Sequence, residues 1–338
     1  MDIYAIRRNI IAIFVIIIAV IYLGKLFMIQ VVDTSYRLSA SNNVLRHITQ
    51  YPARGLIYDR NGELLVYNEA AYDIKITPQH LDEFDTTELC NLLKIDREYL
   101  NRSLDTAKNY SYYKPSTLVN QVSSETYARF QEKLFKFPGF YVQPRTIRKY
   151  THPVAAHALG YVGEVSNKLV KENEYYKSGD YVGISGIEKE YEEELRGEKG
   201  VNIYLVDVHN RIKRSYREGR YDKKAKIGKN ITTTIDLELQ KYGEKLMQNK
   251  IGSIVALEPS TGEVLALVSS PTYDPGLLVG RKRGENFNRL RTDTLRPLFN
   301  RPLMAKYPPG STFKPMNGLI GLQEEVIYTG TTLSCNGG

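Results

Sequence analysis

The chain has 338 residues, 42% hydrophobic and 25% charged. That is enough to build two or more globular domains and excludes a disordered or fibrous chain. Two cysteines exclude a disulfide framework, and a net charge of +8 suits anionic surroundings such as nucleic acid, phospholipid headgroups or cell-wall polymers.

Residues 10–24 carry no charge and are mostly Ile, Val and Ala. Continued past Lys25 to residue 32, the run reaches the roughly 20 residues of a membrane span. Lys25 can snorkel to an interface. Arg7 and Arg8 precede the run and favour a cytoplasmic N-terminus. No small-x-small cleavage site follows directly, so the pattern predicts an uncleaved anchor over 1–32 rather than a signal peptide. Residues 36–46 read as a helical continuation. At 54–65, two apolar runs flank Asn61-Gly62, which predicts a hairpin closed by a type I′ turn.

Helices are expected over 86–104 and 123–135. Tyr127, Phe130 and Leu134 share a face of the second, which ends at Pro138-Gly139. Cys90, among Leu89, Leu92 and Leu93, reads as a buried free thiol. His152 and His157 have no carboxylate or cysteine at ligand spacing, so neither points to a metal. The 183–200 stretch predicts a helix with Ser185 and Glu188 as a capping box. Ile187, Tyr191 and Leu195 would be its apolar stripe, and Gly197 its stop. Residues 201–208 alternate as a strand. From 211 to 229, nine Lys and Arg face only Glu218 and Asp222, the composition of a solvated connection. The pattern changes near 230. Asp236 is placed to cap a helix bearing Leu239, Tyr242 and Leu246 on one face. Short strands at 254–257 and 264–268 are joined by Pro259-Ser260-Thr261-Gly262 as a second hairpin.

Near the end stands Tyr307-Pro308-Pro309-Gly310-Ser311-Thr312-Phe313-Lys314. Prolines stiffen the approach, and an apolar run over 316–322 predicts a helix beginning at the motif. Pro315 is tolerated there because it falls near the helix start. Three-residue spacing puts Ser311 and Lys314 on one face. A lysine whose pKa is lowered by burial can take a serine proton and make that serine a nucleophile. Ser-x-x-Lys alone reads more readily as a capping serine beside a surface lysine, since both residue types are common. Cys335, in Ser-Cys-Asn-Gly-Gly, makes no metal site by itself.

Pro-Pro-Gly-Ser-Thr-Phe-Lys-Pro resembles the active-site motif of penicillin-binding proteins, whose motif set also includes Ser-x-Asn and Lys-Thr-Gly. Further stretches resemble the non-catalytic pedestal of the class B members. They are Arg54-Gly-x-Ile-x-Asp-Arg-Asn-Gly62, the run around His157-Ala-Leu-Gly-Tyr-Val-Gly163, and Gly183-Ile-Ser-Gly-Ile-Glu188. The match covers essentially the whole chain. Tyr-Pro-Pro-Gly-Ser-Thr-Phe-Lys looks most like the elongation-type members, the penicillin-binding protein 2 group.

The resemblance implies an α+β multidomain chain: a transmembrane anchor (1–32), a mixed α/β pedestal (33–229), and the start of a β-lactamase-like transpeptidase domain (230–338), a sheet with packed helices. It implies a bacterial cell-membrane location with the bulk extracytoplasmic, which disfavours nucleic acid as a partner. It also implies a D,D-transpeptidase that cross-links peptidoglycan stem peptides during cell-wall elongation and shape maintenance. Ser311 would be the acyl-enzyme nucleophile and Lys314 the general base, without metal or organic cofactor. Partners would be stem peptides, β-lactams and a multi-span membrane glycan polymerase. The other two motifs are not found by residue 338, so the chain as given is expected to be inactive. Two alternatives stay open: an inactive anchor and pedestal that only binds partners, and a relative that hydrolyses or senses β-lactams.

Overall fold

A computed structural model describes residues 3–28, 45–206, 212–332 and 334. Helix α1 runs Ile3–Phe27, about 37 Å at 1.5 Å per residue. The side chains described in it, from residue 12 on, are exposed on every face. Counting only residues whose side chains are described, no helix is long and apolar enough to cross a membrane. The expected continuation over 36–46 lies mostly outside the described residues; its last two residues belong instead to a strand.

That strand is β1 (Leu45–Gln50), followed by β2 (Ile57–Tyr58) and the long β3 (Leu64–Ile76). β2 and β3 pair antiparallel, as the Asn61-Gly62 signal predicts. The turn type differs. Only Gly62 has positive φ, at 87°, whereas a type I′ turn needs two such residues. The Asp59 carboxylate explains the choice: its Oδ1 accepts from Asn61 N and Glu63 N, both at 2.8 Å. Those bonds fold 59–62 into a turn closed by Gly62 N on Asp59 O at 3.3 Å, with Gly62 supplying the left-handed residue.

Next come α2 (Thr86–Leu93) and α3 (Arg97–Tyr110) where one helix was expected. Lys94 ends the first in the left-handed region at φ 52°, and the Asp96 side chain accepts from Tyr99 N to start the second. β4 (Ser116–Ser123) leads to α4 (Ser124–Glu132), capped by Ser123, and then to β5 (Phe140–Tyr150). β4 and β5 flank β3 antiparallel. Three helices cover one face of this sheet around Ile74, Leu89, Leu93, Leu100, Val122, Phe130 and Phe137. Tyr127 stacks on Tyr72 with ring centres 3.8 Å apart. The predicted face of α4 is therefore the buried one. Cys90 is a free, half-buried thiol beside this core, and burial raises its pKa.

Short elements follow: α5 (Ala156–Leu159), β6 (Val162–Glu164), α6 (Asn167–Glu172) and β7 (Tyr181–Gly183). The helix expected over 183–200 is two pieces, α7 (Gly186–Glu190) and α8 (Glu192–Arg196). The capping box does not form. Ser185 makes no side-chain cap, and Glu188 turns inward, fully buried. Tyr191 is 47% exposed, so the expected stripe is broken; Leu195 is buried and Gly197 ends the segment at φ 68°.

Glu188 is drawn inward by arginines. Its Oε1 accepts from Arg148 Nε at 2.6 Å and its Oε2 from Arg54 Nη2 at 2.8 Å. Arg54 also pairs with Glu192 at 2.7 Å, and Arg148 donates to Gly55 O at 2.8 Å. This ionic knot ties residues 54–55, β5 and α7–α8 together.

β8 (Gly200–Val206) pairs with β1 and with β9 (Ile212–Ser215); residues 207–208 of the expected strand lie outside the described residues. The basic segment is solvent-facing. It folds back on 198–201 through Glu198, which pairs with Lys226 at 3.1 Å and Lys223 at 3.6 Å. β10 (Ile231–Thr232) then adds parallel to β2. The backbone approach here is close: a Cβ on Gly55 would lie 1.8 Å from Lys229 O, so only glycine fits.

Helix α9 (Leu237–Leu246) starts at Asp236, whose side chain accepts from Leu239 N, as expected. β11 (Gly252–Leu257) and β12 (Val264–Ser270) form the second hairpin. On α9 it is Leu237, Gln240 and Gly243 that are buried. The expected face is exposed: Leu239 38%, Tyr242 59%, Leu246 44%. Gln240 wins the inner position by bridging to the hairpin, accepting from Leu267 N at 2.8 Å and donating to Leu267 O at 3.0 Å. Helices α10 (Arg283–Thr292), α11 (Arg301–Met304) and α12 (Lys314–Gln323) complete the chain. One core crosses the change of pattern near 230, with Ile57, Leu65, Leu159 and Leu195 packed against Ile235 and Leu237.

Candidate active site

The site motif is reached from a fixed platform. Ser269, at the end of β12, donates its hydroxyl to Phe299 O at 3.1 Å and accepts from Arg301 N at 3.2 Å. The Arg301 guanidinium is buried and donates to Leu295 O at 2.7 Å and Arg296 O at 3.2 Å. Sequence reading missed these two as supports; the signal was Asn300-Arg301-Pro302, an arginine at a helix start with no acid nearby.

From α11 the chain runs through Pro308-Pro309 into a 3₁₀ turn, Gly310–Phe313, which feeds directly into α12. Thr312 N and its hydroxyl both bond Pro309 O, and Lys314 N bonds Ser311 O. Pro315 falls in the first turn of α12. Ser311 therefore sits at the helix entry, as the pattern predicts, with Lys314 three residues on.

The structure does not join the two side chains. Among the described residues, Ser311 Oγ and Lys314 Nζ have no hydrogen-bond or ion-pair partner, and both residues are exposed. Helix α12 buries no residue. Met316, Leu319 and Ile320 are 54%, 65% and 50% exposed, so the helix does not lie against the β11–β12 hairpin. A lysine base needs burial or nearby positive charge to hold a neutral amine. The described surroundings of Lys314 supply no burial.

Other sequence candidates resolve differently. His157 is 9% exposed and packs edge-on to Tyr273 at 5.4 Å. Burial pushes its pKa down to about 4, partly offset by the backbone at Pro297 and Leu298. No cluster of three His, Cys, Asp or Glu placed to hold a metal occurs among the described residues. Cys335 lies outside them. Asp59, 1% exposed, reaches across the change of pattern to Leu237 N at 3.2 Å; the sequence shows it only as a turn residue.

Comparison with known proteins converges on one family. The penicillin-binding protein dimerisation domain matches residues 49–233, and the penicillin-binding protein transpeptidase domain matches 252–338. The peptidoglycan D,D-transpeptidase MrdA of Acinetobacter baumannii is 32% identical over 304 residues, 88% of this chain and 45% of its own length. That of Salmonella typhimurium is 34% identical over 340 residues, 96% of this chain and 54% of its own. Penicillin-binding protein 2 of Helicobacter pylori, solved in complex with MreC, superposes with a TM-score of 0.67 at 29% identity, covering 86% of this chain and 55% of that one. The chain spans about half the length of the curated relatives it matches. A dimerisation-domain match across more than half the residues, running on into a transpeptidase match that holds Ser311 and Lys314, makes the chain a member of the penicillin-binding protein family.

Proposed function

We propose that this protein is a peptidoglycan D,D-transpeptidase of cell-wall elongation and cell-shape maintenance. The observation that carries the reading is the transpeptidase match over 252–338, which includes Ser311-Thr312-Phe313-Lys314. The relatives named peptidoglycan D,D-transpeptidase MrdA support the transpeptidase reading, and the elongation role rests on the likeness of residues 307–314 to the penicillin-binding protein 2 group. Ser311 Oγ attacks the carbonyl carbon between the two terminal D-alanines of a stem peptide. Lys314 takes the hydroxyl proton and returns it to the departing D-alanine amine. An ester remains on Ser311. The amine of a neighbouring stem peptide attacks that ester, losing a proton as the cross-link forms and Ser311 is regenerated. A β-lactam enters by the same attack and stays as an acyl group.

Residues 33–229 serve as pedestal and those from 230 on as transpeptidase. Helix α1 anchors the chain in the bacterial cell membrane, with Arg7 and Arg8 on the cytoplasmic side and the bulk outside. Its 25 residues support that role. The MreC complex of the Helicobacter pylori relative supports a partner of that kind, alongside a multi-span glycan polymerase.

Fluorescent penicillin applied to membranes of the source cell tests the reading, with Ser311→Ala alongside. The expected result is one labelled band that vanishes in the variant; a band that persists overturns the assignment. Lys314→Ala should slow acylation by about 10²–10⁴-fold. A second reading is anchoring and partner binding without catalysis. Partner capture with no Ser311-dependent label would select it.

A further inference from the structure

A cleft of about 510 Å³ opens between β1, β5 and β8, away from Ser311. Its centre is a row of three side chains. Lys75 and Tyr141 are direct partners across β3 and β5, so they share a face of the sheet. The Arg46 guanidinium, from β1, stands 5.3 Å from the centre of the Tyr141 ring. Two cations thus flank one aromatic ring.

Among the described residues neither cation is paired with a carboxylate, and no Asp or Glu lines the cleft. The two acids whose fields reach Lys75 are Asp73 and Asp180. Both are engaged elsewhere: Asp73 holds Arg145 at 2.9 Å, and Asp180 holds Lys199. Burial, helped by the charge of Arg145, pushes the Lys75 amine below its ordinary range. A half-buried ammonium without a partner is unfavourable, and an anion in the cleft would remove the deficit. The remaining walls mix the polar Thr49, Gln50 and Asn202 with His47 and with apolar Ile48 and Val142. The volume is that of a pocket for a small organic ligand.

We propose that this cleft binds an acidic glycopeptide, its carboxylate held by Lys75 and Arg46 and its sugar or peptide skeleton laid along the Tyr141 ring and the amide-bearing wall. The choice of a glycopeptide among carboxylate ligands rests on the cell-wall reading above; the charge argument for the site does not. The cleft would then hold a strand of the polymer apart from the place where bonds are made.

The test is calorimetric titration of the protein in detergent with a disaccharide–tripeptide muropeptide, which lacks the D-alanyl-D-alanine bond. Comparators are the same muropeptide with its carboxylates amidated, and inorganic phosphate. The expected result is muropeptide binding that weakens about tenfold or more on amidation and in Lys75→Met, with Lys75→Arg restoring it. Thermal melting of each variant separates lost binding from lost fold. Equal affinity for phosphate, binding unchanged by Lys75→Met, or no binding by a folded protein overturns the proposal. Fluorescent-penicillin labelling of the same samples reports the enzyme reading separately. Label without muropeptide binding sinks the cleft alone; binding without label sinks the transpeptidase alone.

Discussion

Glu188 shows how a single residue can satisfy two readings of a sequence and obey the one that is energetically larger. As the third residue after Ser185 it fits a capping box worth about 1 kcal/mol. As the acid between Arg54 and Arg148 it neutralises buried charge, and removing one member of such a group costs about 3–5 kcal/mol. Sequence spacing displays the first possibility and hides the second, because Arg54 and Arg148 lie 134 and 40 residues away. Glu188→Gln should therefore lower unfolding free energy by about 3–5 kcal/mol in urea titration, whereas Ser185→Ala should leave it within about 0.5 kcal/mol. His157 gives a pH signature. Its folded pKa of about 4 lies below the ordinary value of 6.5, so the unfolded chain binds the proton more readily between those values. Its contribution is present above pH 6.5 and is lost as pH falls toward 4, about 3 kcal/mol in total. Unfolding at pH 7 and pH 5 should differ less in His157→Phe than in the parent.

At the scale of elements, some local signals were legible where a side chain acts on its own backbone. Asp236 caps the helix it was expected to cap, and Ser123 caps α4 although the sequence reading gave it no such role. The hairpin at Asn61-Gly62 forms, and its turn departs from expectation because Asp59 supplies bonds that the Asn-Gly pair does not announce. Faces were less legible. Leu239, Tyr242 and Leu246 make a sound apolar stripe, yet Gln240 takes the inner side because β12 offers it a backbone donor and acceptor. Helix α12 was placed correctly and its packing was not: its apolar side chains remain in solvent. Leu319→Ser should thus change the unfolding free energy of the 338-residue chain by no more than about 0.5 kcal/mol.

For the molecule as a whole, the order of parts was readable from motifs, and their attachment was not. A basic, polar run over 211–229 suggests a loose connection. The chain instead crosses the change of pattern through a shared core and backbone bonds, with Gly228 N on Ala53 O at 3.0 Å, Ile231 N on Leu56 O at 2.8 Å and Thr233 N on Tyr58 O at 2.8 Å. Such coupling rests on residues some 175 positions apart, beyond the reach of any periodicity. Limited trypsin digestion should cut first at the exposed basic residues over 213–224, while Lys229 resists, its amide held by Glu194 O at 2.8 Å.

The parallel pairing of β10 with β2 also has a mechanical meaning. A pull toward the N-terminus acts on the leading end of β2, and a pull toward the C-terminus acts on the trailing end of β10. The strands are then loaded in shear, so their hydrogen bonds share the tension and must fail together instead of unzipping singly. A load passed between the two ends of the chain runs through residues 53–58 and 228–233 without parting its two halves.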